Sequence, residues 1–177
     1  MPTTDTHTPS APVTGRLVHH RAGTAPSTWA MGSLFEHLLH DEDSAGRLGV
    51  ALVTQPPGVA SPLHRHSRES EVFFVLSGTM TYRAGDDVLH LGEGDFVHLP
   101  QGMPHAFRVT GSEPVRFLGL AAPGRLFHLY EEVGVPAAER RPPGPDGPSA
   151  AEEVPRWNAV AGRYGLEVLG PPLPEDA

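Results

Sequence analysis

Residues 58–78 read GVASPLHRHSRESEVFFVLSG and contain two histidines, His64 and His66, two positions apart. Side chains at positions i and i+2 of a strand lie on the same face, so a strand here presents two imidazoles together. Glu71 follows five residues later, at the head of the apolar run 72–76, and shares a strand face with Phe73. A buried carboxylate is costly without a partner. We therefore expect a cation beside it.

A second segment, residues 94–105, reads GDFVHLPQGMPH and ends in His105, which opens another predicted strand. Folding of a small β-structure would bring His105 opposite the first two histidines. Three imidazoles and one carboxylate suit a divalent transition-metal ion, here Fe, Ni, Mn, Co, Cu or Zn. We predict one such ion, and its ligands are His64, His66, Glu71 and His105. Glu69 competes with Glu71 for the fourth position, and a fold that keeps the pattern without metal is the alternative to both.

The composition excludes several other chemistries. The chain has 177 residues, no cysteine and 13 basic residues that are all arginine. Disulfides, thiolate nucleophiles and lysine Schiff bases are therefore ruled out. A net charge of −8 without a basic segment argues against a nucleic-acid partner. We expect a cytoplasmic protein with no membrane segment, because the first residues lack a signal-peptide pattern and the apolar run 72–76 is too short to span a bilayer.

The chain divides into three predicted parts. Residues 1–27 form a flexible N-terminal arm, residues 28–122 a β-barrel, and residues 123–177 a helical extension and linker packed on the barrel. Glycine and proline, 20 of each, separate short apolar runs and indicate about nine strands. These strands are 28–39, 48–55, 62–66, 71–76, 79–84, 88–91, 95–99, 105–109 and 114–121.

Two helices are predicted in the extension. The first runs from Leu126 to Val133. The second ends before Gly165, and two starts compete: Pro155 in the first turn, or a capping box of Ser149 and Glu152. Separately, the run 72–76 is apolar on both faces, so another layer or subunit would cover its outer face. We therefore expect a homodimer.

The two histidine segments resemble the two motifs of the cupin superfamily. Residues 58–78 follow the first motif, G-x5-H-x-H-x4-E-x6-G, throughout. Residues 94–105 follow the second, G-x5-P-x-G-x2-H, but Val109 stands where the family usually has asparagine. The resemblance implies an all-β, jelly-roll fold with the metal inside. Asp43–Gly46, Arg125–Gly134 and residues 163–172 further resemble the quercetin 2,3-dioxygenase-like group, which implies that Glu71 is also the catalytic base.

These features predict a metal-dependent dioxygenase that acts on a flavonol-like, enolic or phenolic small molecule. A non-redox lyase, isomerase, dehydratase or cyclase is the first alternative, and a non-catalytic binding protein is the second. An aromatic-lined substrate pocket is expected from Phe73, Phe107, Tyr82, Met80 and His98, together with Phe117. We expect the remaining histidines His37, His40 and His90 to be exposed, and Arg65 and Arg68 to be solvated loop charges.

Overall fold

Short apolar runs between glycine- and proline-containing turns form two antiparallel sheets in the computed structural model, which describes residues 14–175. The strands are β1 (Ser27–Ala30), β2 (Ser33–Leu39), β3 (Gly49–Gln55), β4 (Pro62–His66), β5 (Ser70–Ser77), β6 (Thr79–Ala84), β7 (Asp87–Leu91), β8 (Phe96–Leu99), β9 (His105–Thr110), β10 (Val115–Ala122), β11 (Val135–Pro136) and β12 (Leu166–Pro172). The helices are α1 (His128–Val133) and α2 (Ala150–Val160), with 3₁₀ turns at Asp41–Ser44, Gly124–Phe127 and Ala161–Tyr164.

The larger sheet has the strand order β11-β1-β2-β3-β10-β5-β8, and the smaller sheet has the order β12-β4-β9-β6-β7. Strands that follow one another in the chain often lie in different sheets, which is the pattern of a jelly roll. The predicted all-β jelly-roll fold is confirmed. Among the described residues the two sheets are not joined by hydrogen bonds into one closed barrel. The interior is therefore the space between two facing sheets.

The predicted strand 28–39 is interrupted at Met31 and Gly32. Both residues have positive φ, 51° and 70°, which is the backbone of a two-residue type I′ hairpin turn. β1 and β2 consequently pair with each other, with Ala30 opposite Ser33. The prediction of one long strand was wrong here because the alternating pattern continues across the turn.

The segment after residue 122 supplies strands as well as the predicted helices. β11 pairs with β1, and β12 pairs with β4 along its length. α2 begins after Ser149, whose hydroxyl accepts a hydrogen bond from the Glu152 N–H while the Glu152 carboxylate accepts one from the Ser149 N–H. The capping-box start is therefore confirmed, and Pro155 lies inside the helix. Gly165, with φ of 78°, follows the last turn as predicted.

The predicted N-terminal arm is described only in part. Residues 1–13 lie outside the described residues, and residues 14–26 form neither helix nor strand. The Arg16 N–H donates to the Asp43 carbonyl at 2.8 Å, and the two side chains form an ion pair. No described helix is both long and apolar enough to cross a membrane.

The core lies between the two sheets. Phe73 of β5 packs against Tyr82 of β6 and Phe117 of β10, with ring centroids 5.4 and 5.1 Å apart. The opposite face of β5 is different: Phe74 is 39% exposed, and its cross-strand neighbour Phe96 of β8 is 62% exposed. No element of the described chain covers this outer apolar face completely.

Candidate metal centre and its cavity

The two sheets each contribute side chains to one buried cluster. His64 and His66 lie on β4, and His105 on the neighbouring β9 is in register with His64. Glu71 comes from β5 of the opposite sheet, because the short segment 67–69 connects β4 of one sheet to β5 of the other. We call His64, His66, Glu71 and His105 the primary site.

The donor atoms of the primary site converge. One ligand atom from each residue lies within 4.8 Å of all the others, and all four residues are buried. The Glu71 Oε2 atom lies 2.9 Å from His66 Nε2 and 3.2 Å from His105 Nε2. The rings of His64 and His105 are 4.3 Å apart between centroids. The structure thus brings together all four predicted ligands.

Each histidine of the primary site is oriented through its other ring nitrogen. The Nδ1 atoms of His64 and His105 lie 2.8 and 2.9 Å from the carbonyl oxygens of Pro62 and Met103. The Nδ1 atom of His66 lies 3.1 Å from the Glu69 carboxylate. Since these oxygens accept hydrogen bonds, each Nδ1 carries a proton and each Nε2 atom points into the site. His66 would have to lose its Nε2 proton when an ion binds, and all three histidines would then have the tautomer that binds a metal through Nε2.

The surroundings of these atoms fit a cation. The Nε2 atoms of His66 and His105 are buried and have no hydrogen-bond partner in suitable geometry, although both lie near Glu71 Oε2. Buried polar atoms are normally satisfied. Ligand atoms that converge on one buried centre are what an ion requires, so the residues present fit a divalent metal ion.

Burial and neighbouring charges together set the pKa values of the side chains of the primary site. Burial, with the facing His105 and His66, lowers the pKa of His64 to about 3, which keeps its imidazole neutral. Burial alone would raise the pKa of Glu71, but His66 and His105 hold it well below its usual value. Burial alone would lower the pKa of His66, but Glu71 and Glu69 raise it to about 10. The Glu71 carboxylate thus supplies the negative charge of a site whose other groups are imidazoles.

Glu69, the alternative ligand, lies outside the converging group. It is buried, 3% exposed, and its carboxylate contacts the Nδ1 atom of His66, on the side of the ring away from the donor cluster. This contact places Glu69 behind His66, where it orients the ring. The competing assignment of Glu69 in place of Glu71 is therefore not supported by the geometry.

A cavity of about 470 Å³ opens beside the primary site and is lined by His64, Glu71 and His105 among its walls. Four predicted pocket residues also line it: Phe73, Tyr82, Phe107 and Phe117. Two predicted pocket residues are not among those that line this cavity. Met80 is fully buried in the core, and His98 lies on the exposed face of β8 together with Phe96.

Sequence reasoning missed several residues that line the cavity. Gln55 of β3 is 6% exposed and its Oε1 atom has no partner, while Tyr130 of α1 and Trp157 of α2 form further aromatic wall. Gln55 follows Ala51 and Val53 on the same strand face, so alternation would have placed it inward. Tyr130 and Trp157 reach the cavity only because the C-terminal segment packs across the sheets, and no local pattern indicates this.

The remaining predicted surface residues divide into two groups. His90 is exposed, as predicted, and Arg65 and Arg68 contact the C-terminal segment through Glu167 and the Arg163 carbonyl. The prediction for His37 was wrong, since it is only 2% exposed, and His40 is partly buried. α1 covers this end of β2. Burial lowers the pKa of His37 to about 4.

Two facing antiparallel sheets with three inward histidines and one glutamate are similar to the fold and site of the cupins. Residues 51–120 match the cupin domain family Cupin_2. Relatives of the chain are named for different activities. The quercetin 2,3-dioxygenase of Bacillus subtilis is 31% identical over 105 residues, which are 59% of this chain and 30% of that protein.

The dimethylsulfoniopropionate lyase DddQ of Ruegeria pomeroyi is 39% identical over 62 residues, which are 34% of this chain and 30% of the lyase. The matches thus span less than a third of each of these two proteins. A crystal structure of a predicted oxalate decarboxylase from Thermotoga maritima superposes with a TM-score of 0.54 at 22% identity, covering 60% of this chain and 98% of that one. This similarity supports the fold alone.

Proposed function

We propose that the protein is a metal-dependent dioxygenase of an enolic or phenolic small molecule such as a flavonol. The observation that carries the proposal is the cavity: aromatic rings form its walls, and ligands of the primary site form one side. Its lining also includes Gln55 and Tyr82, whose buried Oε1 and Oη atoms have no hydrogen-bond partner among the described residues. A flat aromatic body with hydroxyl and carbonyl groups matches that combination of surfaces. The similarity to a quercetin 2,3-dioxygenase over 59% of the chain supports the same choice.

His64, His66, Glu71 and His105 would hold the divalent ion, since their donor atoms converge in the tautomers described above. Such an ion lowers the pKa of a hydroxyl that binds it and holds that oxygen close to a second reactant. The residues of the chain supply orientation, proton transfer and exclusion of water.

Glu71 is the proposed proton acceptor. It lines the cavity, and His66 and His105, acting against burial, hold its pKa below its usual value, so the carboxylate is ionised at neutral pH. A carboxylate of low pKa is a weak base, so it would take the proton of a substrate hydroxyl whose own pKa is lowered by the ion. It is also fixed by His66 and His105, which limits the distance over which it can move. Removing its charge while keeping its shape, as in Glu71→Gln, should therefore abolish proton transfer.

Tyr82 and Gln55 are the proposed substrate-positioning groups. Burial and the nearby Glu71 carboxylate raise the pKa of Tyr82, so the phenol keeps its proton and can donate a hydrogen bond. The Oε1 atom of Gln55 can only accept one. A ligand with a hydroxyl near Gln55 and an acceptor near Tyr82 would satisfy both atoms. The walls at Phe73, Phe107 and Phe117 would keep water from the reacting centre.

A second candidate is a non-redox lyase or isomerase that uses the same site. The specific observation for it is the buried Tyr82 hydroxyl of the cavity lining, which could donate its own proton to one substrate atom while Glu71 takes a proton from another, so that the net transfer needs no dioxygen. The local similarity to the dimethylsulfoniopropionate lyase supports it as well.

The test is oxygen uptake by the metal-loaded protein with a panel of flavonols and enolic compounds, measured with an oxygen electrode. We expect uptake with at least one compound, and loss of at least about 100-fold of that rate in Glu71→Gln. Glu93→Gln, a change at an exposed turn, is the matched control and should keep the rate. Anaerobic turnover of a panel compound without any oxygen uptake would replace the dioxygenase with the second candidate.

A further inference from the structure

A second group of histidines and carboxylates lies where α1 packs on the end of β2, and it shares no residue with the primary site. The rings of His37, His40 and His128 form a stack, with centroids 5.6 Å apart between the first pair and 5.3 Å between the second. The Glu131 carboxylate runs beside the stack: Oε1 lies 3.0 Å from His40 Nε2, and Oε2 lies 2.9 Å from His128 Nδ1. Residues from distant parts of the chain therefore meet at one point.

His37 points to a ligand. Its side chain is 2% exposed, its Nε2 atom hydrogen-bonds with the Thr28 hydroxyl at 3.0 Å, and its buried Nδ1 atom has no partner among the described residues. An unpartnered buried ring nitrogen is unusual, because leaving it unsatisfied costs about 1–3 kcal/mol. With Nε2 already bonded to the hydroxyl, Nδ1 is the atom left to bind something in this cluster.

The donors around it have metal-site geometry. His37, His40 and Glu131 each offer one ligand atom, and the three atoms lie within 4.8 Å of one another. Two imidazoles and one carboxylate are a known ligand set for Zn²⁺, which accepts a water molecule as a fourth ligand. The side chains of His40 and Glu131 are 26% and 31% exposed, so the ion has a route from solvent.

His128 supports this group from outside it. Its Nε2 atom lies 2.8 Å from an Asp41 oxygen and 3.2 Å from a Glu42 oxygen, while its Nδ1 atom contacts Glu131. Both ring nitrogens are thus engaged by carboxylates. His128 fixes the position of the Glu131 carboxylate, as hydrogen-bonded neighbours commonly do for metal ligands.

We propose that His37, His40 and Glu131 form a second divalent-metal site, suited to Zn²⁺, that fastens α1 to β2. The consequence for the cavity is direct. Tyr130, next to Glu131, stacks on Phe35 with ring centroids 4.1 Å apart, and both residues line the cavity. An ion at this second site would hold that part of the cavity wall in place.

The test is the number of Zn²⁺ ions bound per chain of the full-length protein. Protein stripped of metal is titrated with ZnCl₂ in a calorimeter, in the presence of a weak competing chelator that suppresses loose surface binding. We expect two ions per chain for the parent and one for Glu131→Gln. His98→Ala removes an exposed histidine that belongs to neither site, so it should still bind two.

His40→Ala is the second variant, because His40 is partly exposed and its loss disturbs the core less than loss of His37 would. It should also bind one ion, with the circular dichroism spectrum of the parent. The converse variant, His64→Ala with His66→Ala, should keep one ion, and Zn²⁺ should still raise its melting temperature. One ion in the parent, or two in both Glu131→Gln and His40→Ala, would overturn the second site.

Discussion

The two faces of β5 have similar amounts of apolar side chain but opposite surroundings. Glu71, Phe73 and Val75 point inward, where they form part of the primary site and the core. Val72, Phe74 and Leu76 point outward; Phe74 and Leu76 are each 39% exposed. The strand therefore carries the proposed chemistry on one face and an unoccupied apolar surface on the other.

The difference shows that hydrophobicity alone does not identify the inner face of this strand. What distinguishes the inner face is the single carboxylate, which is buried and faces histidines of the other sheet. What distinguishes the outer face is continuity: Phe74 meets Phe96 across the β5–β8 ladder and extends the apolar surface to the sheet edge. Exposed apolar patches of this kind mark interaction surfaces. We therefore propose that the outer face is the contact surface of a homodimer.

The largest expected effect comes from removing ligands on the inner side. His64→Ala with His66→Ala takes two of the four ligands from the primary site. We expect the metal affinity of that site to fall by more than about 100-fold, since changing a residue that only hydrogen-bonds to a ligand already costs about 10- to 100-fold. His98→Ala is the matched control, because His98 pairs with Val72 on the outer face. Affinity is measured by Co²⁺ titration followed through its absorption bands. An equal loss of metal affinity in both variants would contradict the assignment of metal binding to the inner face alone.

The next effect tests the residue behind the primary site. Glu69→Gln removes the charge that orients His66 through Nδ1, and we expect metal affinity to fall by about 10- to 100-fold. The ligand set itself stays intact, so the primary site should still bind one ion at saturation. If the variant loses the ion of the primary site altogether at saturating metal, Glu69 is a ligand after all. Glu93→Gln serves as the control in the same titration.

On the outer side, charge placed in the apolar surface should affect association without affecting the metal. Phe74→Asp with Phe96→Asp puts two carboxylates opposite each other on the β5–β8 ladder. We expect the parent to have a dimer mass by light scattering at micromolar concentration and the variant to have a monomer mass, with unchanged metal content. Val88→Asp, on an exposed position of β7 in the other sheet, should leave the dimer intact. A monomeric parent would end the dimer proposal.

Metal removal should have the smallest effect, a change in thermal stability. Bound metal stabilises the folded state by mass action, by about 2.7 kcal/mol at a concentration 100 times Kd, so a chelator should lower the melting temperature by about 5–10 °C. The same treatment of the His64→Ala, His66→Ala variant should give a smaller shift. A parent whose melting curve does not move with chelator, while its metal content falls to zero, would contradict this stabilisation.

The primary site could be predicted from the sequence because its determinants are local. His64 and His66 share a face through strand alternation, and the short turn before Glu71 limits where that carboxylate can go. The pocket was harder to predict. His98 was expected in the pocket, but the inward residues of β8 are Val97 and Leu99, and His98 lies on the exposed face with Phe96. When a strand has apolar residues on both faces, the alternation of its side chains does not show which face points inward.

Residues that meet across long stretches of chain could not be predicted either. His37 is buried because α1, about 90 residues later in the sequence, packs over the end of β2. Trp157 reaches the cavity for a similar reason, and β12 pairs with β4 although its sequence is short and contains Gly170. These contacts depend on how separate helices and strands pack against one another. The spacing of residues within one strand or helix does not predict them.

The pairing of β12 with β4 has a consequence for aggregation. β4 carries two of the proposed ligands, and β12 covers the side of it that does not face β9. Arg65 and Glu167 form an ion pair across the junction at 2.7 Å. If proteolysis removed the last dozen residues, β4 would become an open edge with unpaired N–H and C=O groups, ready to add a strand from another molecule. The C-terminal strand thus protects the metal-binding strand from self-association, and a trimmed chain should precipitate on standing where the intact chain stays dispersed.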